Sequence, residues 1–285
     1  MRRRLEIKAR RPGFDALCLQ YNVAIENQVI CLVGDKVVAS CLWLPNQGKT
    51  AVCYIPPPRH LDGKEPYVST CLKLASTKAA ALGMKMIQGI FDTGEPLLDQ
   101  IYLGAGYRLL AILQFMEHGN HWPAVSAPPA SGYALQTYSR DNHDLFKAAI
   151  AESYVQTLDC PQMSGLRDLE DVIAGHKAAG PFDPQLWYVL VHQGAGIGVM
   201  LLTLQRGAQS LDITYLGLAP RHRGQGRAAY LLSQVGIKLR EMEIRNSALA
   251  VDEGNTPAMK LYLKFGYRPV LRRCVYFLPL TDACR

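Results

Sequence analysis

The chain has 285 residues, 49% of them hydrophobic, enough to bury the cores of two domains of ordinary size. A formal net charge of +7 suits a nucleic acid, a membrane surface or a polyanionic small molecule. No long Lys/Arg run carries interleaved aromatics, which argues against nucleic acid, and no apolar run approaches the roughly 20 residues of a spanning helix.

The start, "MRRRLEIKARRPG", is basic but lacks an apolar core, and acidic Glu6 and Asp15 argue against a transit peptide. The eight cysteines are scattered, with no C-x-x-C pair. A reduced, cytoplasmic protein with structural thiols is expected. The β-branched runs Val29–Val33, Val37–Leu44 and Thr50–Ile55 predict strands. "PPPRHLDGKEP" follows Ile55, then a predicted helix over Tyr67–Leu82 and a strand over Met84–Phe91. His118 and His121 are the only close histidine pair. With no ligand cluster beside them, they predict a loop and no metal. "HWPAVSAPPASG" lacks apolar periodicity and predicts a linker over 123–131, between domains at 1–122 and 132–285.

In the second part, Tyr133–Tyr138 predicts a strand, and His143–Tyr154 and Gly165–Ala179 predict helices. Trp187–Val191 and Ile197–Leu204 predict strands, joined by a hairpin turn at "HQGAGIG". The run Ile213–Leu218 is another strand, ended by Pro220. After the basic loop Arg221-His222-Arg223-Gly224-Gln225-Gly226, apolar residues Leu231, Leu232, Val235, Leu239 and Met242 recur at helical spacing. Strand, glycine loop and helix start aim free backbone N–H groups and the positive helix end at one point, which predicts a phosphate or pyrophosphate ligand. Neither a Walker Lys-Ser/Thr pair nor the G-x-G-x-x-G spacing is present. A strand ending near Val251 follows, then a helix with Thr256 as N-cap, Pro257 at its first position and Gly266 as its stop. Two final strands complete the order βααβββαβαββ.

The first part repeats the second at an offset of 160 residues. Phe91–Leu110 and Val251–Val270 share seven of twenty positions, among them Tyr102/Tyr262, Gly106/Gly266 and Tyr107/Tyr267. The first copy departs at Pro56–Pro58, which lack amide donors, and at Glu95, which stands where Asn255 stands in the second.

Arg223, Gly226 and Ala228 fit the pattern R/Q-x-x-G-x-G/A. Asn255, Tyr262, Gly266 and Tyr267 follow in the order of a second signature. Together they resemble the GCN5-related N-acetyltransferase (GNAT) superfamily over roughly residues 132–285. The resemblance implies an α/β (α+β) fold of two GNAT-like domains, each a mixed, mostly antiparallel sheet with helices on both faces. The first copy is read as degenerate and without a CoA site, and Tyr102 as a packing residue. This tandem arrangement is similar to two-domain proteins of the mycothiol synthase type. The implied activity is transfer of an acetyl group from acetyl-CoA, a co-substrate, to a small-molecule or peptide amine by direct attack in a ternary complex. The amides from Arg223 through Gly224, Gln225, Gly226 and Arg227 to Ala228 would hold the pyrophosphate, with Arg221, Arg223 and Arg227 adding charge. The strand backbone at Leu216 and Leu218 would pair with pantetheine, and Asn255 would contact the cofactor from the other side. Tyr262 matches the general acid for the thiolate, and Asp212 the position of a general base. A non-catalytic acyl-CoA sensor or interaction protein is the alternative. The acceptor is not legible, because Leu158–Ala179 has no diagnostic pattern.

Overall fold

The computed structural model describes residues 27–119, 122, 132–205, 207 and 209–280. The basic start, His121 and the linker expected over 123–131 lie outside them.

In chain order the elements are β1 (Gln28–Val33), β2 (Lys36–Asn46), β3 (Thr50–Tyr54), α1 (Glu65–Ala81), β4 (Met86–Asp92), α2 (Pro96–Gly104) and β5 (Arg108–His118). Then come β6 (Tyr133–Thr137), α3 (His143–Tyr154), α4 (Leu169–Lys177), β7 (Trp187–His192), β8 (Ala195–Gln205) and β9 (Ser210–Leu218). The last four are α5 (Arg227–Glu241), β10 (Ser247–Asp252), α6 (Thr256–Lys264) and β11 (Arg268–Pro279). The expectation of two final strands is corrected. Among the described residues β11 is one strand of 12 residues. His118 is also not in a loop. It ends β5, and its Nε2 bonds Phe265 O at 2.8 Å.

All eleven strands join one mixed, mostly antiparallel sheet in the order β1-β2-β3-β4-β11-β5-β10-β9-β8-β7-β6. The two expected sheets are therefore continuous, and their last strands are exchanged. β11 lies between β4 and β5, while β5 lies between β11 and β10. The slot beside β10, where a second final strand would sit, is filled by β5. The 160-residue offset maps α2 onto α6 without a gap and β4 onto β10 to within one residue. It also carries the pairing Asp252↔Leu113 into Arg273↔Asp92. In the β5/β11 pair, Arg273 faces Leu113, and the two bulges, at Val270 and Leu110, are equivalent under the same offset. A local twofold, normal to the sheet, therefore passes between Arg273 and Leu113.

Side-chain alternation divides the packing. Along β7, Tyr188 and Leu190 face α5 and α6, whereas Trp187, Val189 and Val191 face α3 and α4. α1 and α2 cover one face of β1–β4 and β11. The opposite face of β4, β5 and β11 carries Met86, Leu110, Ala111, Val275 and Phe277. It is covered by Cys160, Met163 and Leu166 from the α3–α4 connection. The β2–β3 turn docks on α4. Arg167 Nη1 donates to Gly48 O at 3.1 Å, and Lys49 pairs with Asp171 at 2.9 Å. No helix among the described residues is long and apolar enough to cross a membrane.

Candidate functional site

β9 and β10 start side by side and then part. They are bridged at Ser210↔Asn246 and paired at Ile213↔Leu249, but β9 runs on to Leu218 without that partner. The cause lies on the other side of β9, where Tyr215 and Ile213 face consecutive β8 residues and leave Thr214 as a bulge. A bulge bends its strand and shifts the alternation of its amides. The Ala219 amide donates to Ile197 O of β8, while Leu218 O turns away and accepts from Arg223 Nε at 3.0 Å. Alternation then puts the amides of Leu216 and Leu218 on the opening edge.

The loop after β9 is shaped by two glycines in the left-handed region, Gly224 (φ 70°) and Gly226 (φ 77°), the latter the N-cap of α5. A side chain at either would strain the backbone. The amides of Gly224 through Ala229 have no hydrogen-bond acceptor among the described residues. Arg223 differs from the expected role, because its guanidinium is engaged by protein. Besides Leu218 O, it donates to the carbonyls of Ser153, Val155 and Gln156 at 2.7–3.0 Å. It ties the glycine loop to the end of α3. Gln225 bonds Arg221 O and Arg227, and Arg227 also reaches the Tyr133 hydroxyl. Arg227 Nε is buried without a partner. Burial first, then the charges of Arg227 and Arg221, push His222 below the ordinary imidazole range.

The opposite wall is α6. Asn255, not Thr256, is its N-cap, and Asn255 Oδ1 accepts the Ala258 amide at 3.3 Å. Tyr262 is 7% exposed, and its hydroxyl has no hydrogen-bond partner among the described residues. Burial, then the charge of Asp159, raise its pKa. The space between the walls is a cavity of about 470 Å³. Its lining brings together Leu216, Leu218, Arg223, Gly224, Gly226, Ala228, Asn255 and Tyr262.

Asp212 is not brought to this lining. It lies in the stretch where β9 is still held against β10, before the opening that starts at Ile213, and its carboxylate accepts from Ser210 at 2.5 Å. A different carboxylate lines the cavity. Asp159, on the α3–α4 connection, comes from the stretch whose sequence has no pattern. It is accessible to solvent yet enclosed by protein on most sides, as a group in a cleft wall is. Desolvation raises its pKa, offset in part by a hydrogen bond from the Asp252 backbone.

A splayed parallel pair feeding a glycine loop and an unpartnered helix start is the deciding geometry. Residues 151–267 match the model of the acetyltransferase (GNAT) family. The GNAT fold extends over the whole sheet in solved structures. A GCN5-related N-acetyltransferase from Sphaerobacter thermophilus superposes with a TM-score of 0.65 at 18% identity, covering 95% of this chain and 86% of that one. A tandem GNAT protein from the clavulanic acid biosynthesis pathway gives 0.54 at 16%, covering 92% and 86%. A GCN5-related N-acetyltransferase from Kribbella flavida gives 0.53 at 15%, covering 95% and 97%. No curated protein matches the chain.

Proposed function

We propose that the chain is an acyl-CoA-dependent N-acyltransferase with one competent cleft, between β9 and β10, which moves an acetyl group from acetyl-CoA to an amine. The observation that carries this reading is the row of free amides from Gly224 to Ala229 at the start of α5, at the end of a strand with its own free edge. Such a row suits a pyrophosphate. The amides of Leu216 and Leu218 suit a pantetheine arm laid along β9, where one of them would polarise the thioester carbonyl. Asn255, occupied as a cap, would border the arm from the other wall.

Transfer needs a neutral amine within reach of the carbonyl and a proton for the leaving sulfur. The amine nitrogen attacks, the carbon–sulfur bond breaks, and Tyr262 would supply the proton. Its raised pKa keeps the phenol protonated at neutral pH.

The first copy is proposed to bind no CoA. In it the ring of Tyr102 occupies the place a side chain at Gly89 would take, and lies buried against Phe91 and Tyr276. Calorimetric titration with acetyl-CoA tests both statements. One site per chain, lost in Gly226→Val, is expected. Two sites would overturn the assignment of the first copy, and none would overturn the transferase reading.

A further inference from the structure

Among the described residues the cavity lining contains one carboxylate, Asp159. Of the cationic lining residues, Arg223 is already engaged by four backbone carbonyls, and Lys264 lies at the far end of α6. The acidic group therefore stands in the cleft without a protein cation among the described residues.

Its placement is built. The Asp159 amide donates to Thr157 Oγ1 at 3.0 Å. Cys160 holds a left-handed conformation (φ 45°), unfavourable for a residue with a Cβ, and its amide donates to Asp252 Oδ2 at 3.1 Å. Asp252 Oδ1 accepts from Gly254 at 2.9 Å, so the end of β10 clamps the strained turn. Cys160, Met163 and Leu166 then fasten the same segment to the first copy's strands. Three separate contacts thus hold the turn that sets Asp159 in the cavity wall.

We propose that Asp159 is the acceptor-site carboxylate, which binds the substrate as a primary ammonium ion and takes its first proton. The proposal rests on the N-acyltransferase reading above. An ammonium group pairs with the carboxylate and gives it one proton, leaving a neutral amine. The nitrogen–carbon bond forms and the carbon–sulfur bond breaks. Tyr262 protonates sulfur and regains a proton from the new amide nitrogen, while Asp159 returns its own to water. The groups facing Asp159 are Asp252 on β10, Tyr262 on α6, Tyr154 on α3, Tyr215 on β9 and Cys160 beside it. None of them is a cation, so no opposite charge lowers the carboxyl pKa that desolvation at the cleft wall and the charge of Asp252 raise. The acceptor class is a cationic primary amine, in preference to a hydroxyl or a carboxylate-bearing partner.

The test compares wild type, Asp159→Asn and Asp159→Glu in two assays. Calorimetry measures acetyl-CoA binding, then binding of n-propylamine to n-hexylamine to the CoA-loaded protein; thiol release measures turnover of the same amines from pH 5 to 9. Asp159→Asn is expected to keep acetyl-CoA affinity within twofold, bind the amines at least tenfold more weakly and turn over at least 100-fold more slowly. Asp159→Glu should recover part of the rate with a displaced acid limb. Turnover and pH profile unchanged in Asp159→Asn would overturn the ammonium site while leaving acyl transfer intact. Amine binding that needs Asp159 but releases no thiol would keep the ammonium site and sink the transferase reading. Failure of the wild type to bind any of these amines would overturn the ammonium site.

Discussion

Tyr262 and Tyr102 stand at equivalent places in the repeat, yet their hydroxyls meet different surroundings. Tyr102 OH lies 3.7 Å from Cys53 Sγ, over the space left by Gly89. At the equivalent positions the second copy has Ile213 and Leu249, both apolar and buried, and the hydroxyl of Tyr262 is left at the cavity. Tyr262→Phe is therefore expected to lower turnover about 100-fold with acetyl-CoA affinity unchanged, as steady-state kinetics and calorimetry would show. Tyr102→Phe should leave turnover untouched. His176 gives a second prediction. Burial first, and the charge of Arg167 second, push it from 6.5 down to about 4. Between those values the unfolded chain binds more protons than the folded one, so stability rises with pH across that window, by roughly 3 kcal/mol at most. His176→Asn should flatten the fall in Tm between pH 7 and 4, and a slope equal to wild type would remove His176 as its cause. The sequence pattern reaches these residues unevenly. Tyr262 is legible because a short helix between a cap and a glycine stop fixes its neighbours. Asp159 is not, because the turn that aims it is shaped by Asp252, far along the chain.

At the scale of elements, the glycine loop is the part that sequence describes best. Pro220, Gly224 and Gly226 each impose a local backbone demand, and local demands can be read from neighbours. Gly226→Val forces a β-branched residue to φ 77°, at a cost of roughly 1–2 kcal/mol, and swings the first amides of α5 away from one another. Acetyl-CoA affinity should fall at least tenfold, with a smaller loss of Tm. Arg223→Ala should also weaken binding, but through a loosened loop, since the guanidinium holds α3 to β9. Asp212 shows where local reading stops. A carboxylate at the head of a strand looks well placed in one dimension, but the point at which β9 and β10 part falls after it, so it stays outside the cleft. The docking of the β2–β3 turn on α4 was equally hidden. A Cβ at Gly48 would lie 2.3 Å from Asp171 O, so Gly48→Val should destabilise the protein by roughly 1–3 kcal/mol or more, measured by denaturant unfolding.

Over the whole molecule, the internal repeat was legible in a twenty-residue stretch, and the structure extends it through β1 to β5. The exchange of β5 and β11 was not legible, because a strand's sequence records that it pairs on both sides but not with which copy. The first copy contributes packing as well as pairing. Its strands carry the segment that follows Asp159, and its hairpin supports α4. Residues 132–285 expressed alone are expected to be insoluble or unfolded, because β10 would lose its β5 edge and β11 would lose both of its neighbours, β4 and β5. A soluble, monomeric fragment with acetyl-CoA affinity equal to the full chain would refute this.

The exchanged strands make the covalent joint between the copies dispensable for holding them together. Each copy closes its sheet with a strand borrowed from the other, so a chain cut between residues 122 and 132 would remain a single particle bound by backbone hydrogen bonds. Two separately encoded polypeptides, 1–122 and 132–285, should recognise each other when made together and reconstitute one cleft, as in a heterodimer. The tandem chain is thus equivalent to a dimer with its two subunits joined end to end.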